Sequence, residues 1–240
     1  VDHLAVDPRL GDDMDFDRLI AAARGKGVRI LLDGVFNHVG RDHPWVAGAL
    51  RDGPESPAGQ RIGWAGDHPD SFEGHDILVA LNHANAEVRD HVVDVMTHWL
   101  DRGADGWRLD AAYAVDPSFW AEVLPRVRAE HPDAWFVGEM IHGDYAAYVA
   151  RSSVDSVTQY ELWKATWSAL RDGNFFELAH ALGRRLGLAL RRYAALGRGL
   201  ARARAAADEQ RRRQRGGDQD SSGFHADSPF YCGFGDRCAA

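Results

Sequence analysis

The segment at residues 105–110, which reads Asp-Gly-Trp-Arg-Leu-Asp, constrains the fold of this chain more than any other feature. It has the character of a strand that ends in an acid. Side chains alternate across a strand, so Arg108 and Asp110 face the same way while Leu109 faces the other. The pattern predicts a carboxylate held ionised by a guanidinium. The structural alternative is a buried ion pair that only ties the strand to its neighbours.

Two further segments have the same design, an apolar run that ends in an acid. One, at residues 28–38, reaches Asp33, and the other, at residues 135–139, reaches Glu139. Helical spacing of apolar residues occurs at residues 13–26, at 84–102 and from 117 onward, where Pro125 is expected to interrupt the helix. Strands that alternate with helices predict a parallel sheet of βα units. Acids at the carboxyl ends of such strands are typical of an active site.

In chain order the three segments supply Asp33-x-x-x-Asn37-His38, Gly106-x-Arg108-x-Asp110 and Gly138-Glu139. Their order and strand context resemble glycoside hydrolase family 13, the α-amylase family. The resemblance covers residues 1–177 and includes residues 5–11, which look like the family's segment after its second strand. It implies an α/β fold, a partial (β/α)₈ TIM barrel with about strands 3 to 6. A small loop-rich lobe is expected after strand 3, at residues 39–84.

The resemblance also implies roles for individual residues. A retaining glycosidase uses two carboxyl groups, one as nucleophile and one as acid and base. By the family's pattern Asp110 is the nucleophile and Glu139 the acid/base. Asp33, His38 and Arg108 are then expected to bind or support the substrate, an α-glucan or a maltooligosaccharide-like molecule.

No cofactor is expected, and Asn37 is the one calcium candidate. The residue at the position of Asn37 is often a calcium ligand in the family, but an amide that caps a turn is nearly as good an explanation. Ala114 stands where many members place a histidine that helps bind calcium, and Tyr113 replaces a lysine found in many α-amylases. Residues 1–177 contain no cysteine, and the histidines lack the spacing of a zinc site.

The composition changes near residue 178. Residues 178–240 contain twelve arginines against six acidic residues, although the whole chain has a net charge of −8. We therefore expect a partial catalytic barrel at residues 1–177, followed by a tail at 178–240. That tail reads as disordered, as the product of a shifted reading frame, or as a basic amphipathic helix.

Composition and hydropathy also bear on partners. The acidic residues 1–177 argue against nucleic-acid binding, and no apolar run long enough to span a membrane occurs. A cytoplasmic location is expected, since the motif-bearing part carries no cysteine.

The resemblance predicts hydrolysis of α-glucosidic bonds. The family's fourth motif, Phe-x-x-Asn-His-Asp after its seventh strand, does not occur downstream of Glu139. Because that motif supplies a third acid, we expect the chain to be a truncated barrel with impaired or absent activity. The alternatives are a transglycosylase or isomerase of the trehalose or sucrose type, and a glucan-binding remnant without turnover.

Overall fold

The computed structural model describes residues 2–183. In chain order, these residues form α1 (Asp13–Gly25), β1 (Leu31–Gly34), β2 (His38–Gly40), α2 (Pro44–Asp52), β3 (Trp64–Ala65), β4 (His68–Pro69), β5 (Leu78–Ala80), α3 (Ala86–Asp101), β6 (Gly106–Leu109), α4 (Pro117–Glu130), β7 (Trp135–Gly138), α5 (Tyr145–Ser152), β8 (Ser156–Val157), α6 (Tyr160–Asp172) and α7 (Phe176–Gly183). Short 3₁₀ turns lie at Gly59–Arg61, Phe72–Gly74 and Ala112–Ala114.

The principal sheet has four parallel strands in the order β1, β6, β7, β8. Successive strands are joined through helices, which confirms the prediction of βα units in a parallel sheet. Buried side chains of the sheet, such as Leu109 and Phe136, belong to one apolar core with Trp120 of α4 and Met96 of α3. The sheet therefore presents the carboxyl ends of its strands at a single edge.

The two helices between the site-bearing strands form for local reasons. The side chain of Asn85 accepts a hydrogen bond from the Glu87 N–H, so α3 begins at residue 86 and not at 84. Pro125 does not interrupt α4, contrary to expectation. Val123, Leu124 and the other apolar residues of this helix face are fully buried, and this packing outweighs the backbone hydrogen bond that proline removes.

The insert after β1 is more ordered than the expected loop-rich lobe. It contains the antiparallel pair β2–β5, the short hairpin β3–β4 and the helix α2. Val46 and Ala49 of α2 are fully buried, and His43 caps its first turn. The sequence pattern predicted a loop-rich lobe but not these elements, because a helix of about two turns and strands of two or three residues are too short to show periodicity.

The last helices of the described residues are α6 and α7. α7 continues past the change of composition at residue 178, and the rest of the tail, with both cysteines, lies outside the described residues. On α6, which follows the last strand β8, the side chains of Trp163, Trp167 and Leu170 are 70%, 51% and 76% exposed.

Residues 2–183 include no helix that combines the length and apolar character needed to cross a bilayer.

Gly106 lies between two strands, paired with Leu31 of β1 and Trp135 of β7. A Cβ atom at this position would lie 1.9 Å from the Trp135 carbonyl oxygen. We expect Gly106→Ala to lower the free energy of unfolding by about 2–3 kcal/mol, since the sheet has to move to admit a methyl group. Denaturant unfolding measures this change.

The matched control is Gly25→Ala at the end of α1, where an added Cβ has no neighbour within 4 Å. Alanine is the better helix former, so this variant should be as stable as the parent chain or more stable by up to about 1 kcal/mol. Equal stabilities for the two variants would refute the steric account of Gly106.

His43 is 6% exposed and its ring lies 5.5 Å from that of His3. Burial, followed by the charges of His3 and His91, lowers its pKa to about 4. The unfolded chain therefore binds a proton more readily than the folded chain between pH 6.5 and 4. The ionisation of His43 should leave the free energy of unfolding unchanged above pH 6.5 and should lower it by about 2–3 kcal/mol as the pH drops to 4.

The variant His43→Asn tests this titration, because asparagine also caps a helix but does not ionise in this range. We expect a flatter dependence of the unfolding free energy on pH in this variant. His68→Asn, at an exposed position of β4, is the control and should keep the slope of the parent. A slope that is identical in all three proteins would contradict the assignment.

Candidate active site

One guanidinium connects three carboxylates at the carboxyl edge of the sheet. Arg108 Nη1 donates to Asp33 Oδ1 at 2.6 Å and to Asp110 Oδ1 at 2.5 Å, and Arg108 Nη2 contacts Glu139 Oε1 at 2.7 Å. The three acids named by the sequence motifs therefore meet on the arginine of the middle motif. The side chains of Asp110 and Glu139 are 23% and 17% exposed, while that of Asp33 is 60% exposed.

The register of the parallel strands brings these side chains together. Asp33 of β1 pairs with Arg108 of β6, and Leu109 pairs with Gly138. The ladder continues one residue beyond each strand, because the Asp110 N–H donates to Gly34 O at 3.0 Å. The Glu139 N–H likewise donates to Leu109 O at 2.9 Å. Both carboxylates thus start from backbone positions that the sheet fixes.

The chain turns sharply after Asp110. Ala111 has φ 46° and ψ 36°, the left-handed conformation that residues other than glycine rarely adopt. This turn allows the Ala111 N–H to donate to Glu139 Oε2 at 3.0 Å. A strained backbone conformation persists only where the surrounding structure holds it in place. Here the hydrogen bond from Ala111 to Glu139 connects the ends of β6 and β7.

The carboxylate of Glu139 is surrounded by polar groups. Besides the contacts with Ala111 and Arg108, its Oε1 accepts a hydrogen bond from the Tyr160 hydroxyl at 3.1 Å. Burial acts to raise the pKa of this carboxyl, but the hydrogen bonds from Ala111 and Tyr160 and the Arg108 charge outweigh it and lower the pKa. These contacts favour the ionised form of Glu139.

The charges of the site do not cancel. Burial acts to lower the pKa of Arg108, yet its hydrogen bonds to Asp33 and Asp110 and the charge of Glu139 raise it above the ordinary value. The arginine therefore stays protonated, and three carboxylates face one cation. The resulting negative field suits a site at which positive charge develops on a reacting molecule.

His38 and Asn37 lie buried where the insert begins. The ring of His38 stacks on that of Phe72, with centroids 4.6 Å apart and planes inclined by 13°. Burial lowers the pKa of His38, against the opposing effect of the charges of Asp110 and Glu73. The ring is thus neutral and close to Asp110. The Asn37 side-chain nitrogen lies 3.3 Å from His38 Nδ1.

The contact made by the Asn37 amide gives no support to a calcium site. Calcium takes six to eight oxygen ligands, most of them carboxylates and carbonyls. The amide of Asn37 contacts an imidazole nitrogen, and residues 2–183 contain no group of three or more His, Cys, Asp or Glu side chains placed to hold a metal ion.

The sequence reasoning missed some residues of this region. Tyr160 contacts Glu139, and Glu73 accepts a hydrogen bond from Tyr113. The position of Tyr160 just beyond β8, at the same edge as the acids, was a usable signal, whereas nothing local pointed to Glu73. Two aromatic residues of the insert have structural contacts: Trp45 packs against His91 of α3, and Trp64 donates to Gly59 O within the insert.

Comparison with known proteins identifies a matching family and relatives of this chain. Residues 1–69 and 63–192 match the family model described as alpha amylase, catalytic domain. Neopullulanase 2 of Thermoactinomyces vulgaris is 36% identical over 169 residues, which are 66% of this chain and 28% of that protein. The intracellular maltogenic amylase of Bacillus subtilis is 33% identical over 151 residues, 59% of this chain and 25% of that protein.

Solved structures also resemble this chain. The cyclic α-maltosyl-(1→6)-maltose hydrolase of Arthrobacter globiformis in its ligand-free form matches with a TM-score of 0.68 and 30% identity, over 76% of this chain and 43% of that one. This chain therefore spans less than half the length of each of these three proteins. The parallel sheet, its ordered motifs and these matches show that the chain belongs to glycoside hydrolase family 13, the α-amylase family.

Proposed function

We propose that this chain carries part of a retaining glycoside hydrolase that cleaves α-glucosidic bonds in maltooligosaccharide-like substrates. The observation that supports this most is the bridge from Arg108 to Asp110 and Glu139. Both carboxylates contact the same guanidinium and therefore lie close together at the sheet edge. A double-displacement mechanism needs carboxyl groups about 5 to 5.5 Å apart.

Asp110 is the proposed nucleophile. Its carboxylate oxygen attacks the anomeric carbon, and an ester to the sugar forms as the glycosidic bond breaks. Glu139 gives a proton to the leaving oxygen in this step. In the second step Glu139 takes a proton from water, whose oxygen attacks the anomeric carbon and releases Asp110 as a carboxylate.

The resting ionisation of Glu139 sets a condition on the first step. The carboxyl has to be protonated when the substrate is bound, although Arg108 and Tyr160 favour its charged form. A sugar that displaces these contacts removes the interactions that lower the pKa. Substrate binding would then convert Glu139 from a base into an acid.

Supporting roles are proposed for the remaining residues. Arg108 holds the Asp110 carboxylate in place, Asp33 holds the arginine from the other side, and neutral His38 contacts a sugar hydroxyl. The site has no assigned third acid, because the family's fourth motif is absent from the sequence. We therefore propose that this chain binds its substrate but turns it over slowly.

The substrate class is proposed from the relatives, which are named neopullulanase and maltogenic amylase. An intracellular location is proposed for the same reason, since the Bacillus subtilis relative is named an intracellular enzyme. Transfer to a second sugar instead of water, as in trehalose- or sucrose-type enzymes, would appear as new oligosaccharides when the products from maltotriose are separated.

The first test is the hydrolysis of p-nitrophenyl α-glucoside and of maltotriose by the chain and two variants. Asp110→Asn should abolish turnover of both compounds. Glu139→Gln should reduce maltotriose hydrolysis by about 10²–10⁴-fold but affect release of p-nitrophenol far less in the first step, because this leaving group needs no proton. Burst and steady-state rates separate the two steps.

Glu55→Gln changes an exposed acid of the insert and is the control for charge alone. Equal rates in the chain and both site variants would show that these carboxylates do not perform the reaction. Maltotriose binding that survives Asp110→Asn, with no turnover by the parent chain, would identify a glucan-binding remnant.

The second test is Arg108→Lys, which retains the charge but cannot bridge three carboxylates. Loss of the contact at Nη2 should raise the pKa of Glu139. The alkaline limb of the pH profile of kcat/KM, which reports loss of the Glu139 proton needed in the first step, should therefore shift to higher pH, and kcat/KM should fall by about tenfold or more. Arg18→Lys, at an exposed position of α1, should leave the profile unchanged.

A further inference from the structure

The 3₁₀ turn Phe72–Gly74 of the insert reaches over the carboxyl edge of the main sheet. On one side the ring of Phe72 stacks on His38, which belongs to the start of β2. On the other side Glu73 Oε1 accepts a hydrogen bond of 2.8 Å from the hydroxyl of Tyr113. One short turn is thus attached on both sides of the site.

Tyr113 links this turn to the reacting groups. It follows Asp110 by three residues, and its backbone N–H donates to Glu139 O at 3.1 Å. The pKa of its hydroxyl is raised to about 12, first by burial and then by the hydrogen bond to Glu73 and the charges of Glu73, Glu139 and Asp110. The hydroxyl therefore remains a proton donor to Glu73 at physiological pH.

The turn adopts a conformation that its sequence alone does not favour. Glu73 has φ 52° and ψ 30°, and Gly74 has φ 77°. A left-handed glutamate costs roughly 1–2 kcal/mol, so contacts made by the folded insert must compensate. The stacked ring of Phe72 and the hydrogen bond from Tyr113 are two contacts that do so.

We propose that the Phe72–Gly74 turn is a strap across the sugar site, and that Glu73 is a specificity-determining residue that limits the site to chain ends and short α-glucans. The inference rests on the proposed hydrolytic function. A groove that is open at both ends accepts the middle of a long polymer. Because the strap is attached at His38 and at Tyr113, it closes the space over Asp110 to a continuous chain.

The test compares maltotriose with long unbranched amylose, as the ratio of kcat/KM for amylose to that for maltotriose. Glu73→Ala removes the acceptor, and Tyr113→Phe removes the hydroxyl while keeping the ring. Both should raise the ratio about tenfold, mainly through KM for amylose. Glu73→Gln keeps an oxygen that can accept the hydrogen bond, so its ratio should stay within about twofold of the parent.

Asp67→Ala, at the exposed tip of the β3–β4 hairpin in the same insert, is the matched control and should leave the ratio unchanged. Titration calorimetry with the same two glucans, in the Asp110→Asn background, gives the corresponding ratio of affinities even where turnover is slow. A merely structural role for the turn would lower both values of kcat/KM together.

The outcomes separate the two proposals. If the parent chain binds or cleaves maltotriose and the ratio is the same in Glu73→Ala, in Tyr113→Phe and in the parent, the strap inference is wrong and the proposed function stands. If the parent chain neither binds nor cleaves maltotriose, both are wrong. A raised ratio in the two variants, with Glu73→Gln like the parent, supports the strap.

Discussion

The bond from the Arg108 guanidinium to three carboxylates is the interaction on which the candidate site depends. Three acids gathered at one sheet edge would repel one another if no cation lay between them. The arginine compensates part of that repulsion and fixes the distances, since its nitrogens are held in a rigid plane. The register of the sheet places Arg108 opposite Asp33 and one strand away from Glu139. The register of the sheet therefore fixes the geometry of the candidate site.

This arrangement also explains why ionisation and structure are coupled in the site. The contacts that orient Glu139 are the contacts that favour its charged form, among them the Ala111 N–H and the Tyr160 hydroxyl. A carboxyl positioned only by packing would be protonated more readily but held less firmly. The contacts therefore fix the position of Glu139 and lower its pKa at the same time. Under the proposed mechanism, a bound substrate has to raise that pKa.

The sequence predicted the framework of the site well, because the responsible rules are local. Alternation along a strand put Arg108 and Asp110 on one face, and the structure joins them by a hydrogen bond. The carboxyl-edge rule brought Asp33 and Glu139 to the same place. The left-handed turn at Ala111 and the contact of Glu73 with Tyr113 were not predictable, since alanine and glutamate carry no local signal for that conformation. The helix α2 was missed because its two turns are too short for a periodic pattern.

The exposed stripe on α6 has a consequence for the behaviour of the chain in solution. Trp163, Trp167 and Leu170 lie on successive turns of α6, the helix that follows β8 in the chain. Contiguous apolar surface of this kind favours association between molecules. The net charge of −8 opposes that association only at long range and is screened by salt. Colloidal stability should therefore be governed by α6, and raising the ionic strength should lower the concentration at which the chain begins to aggregate.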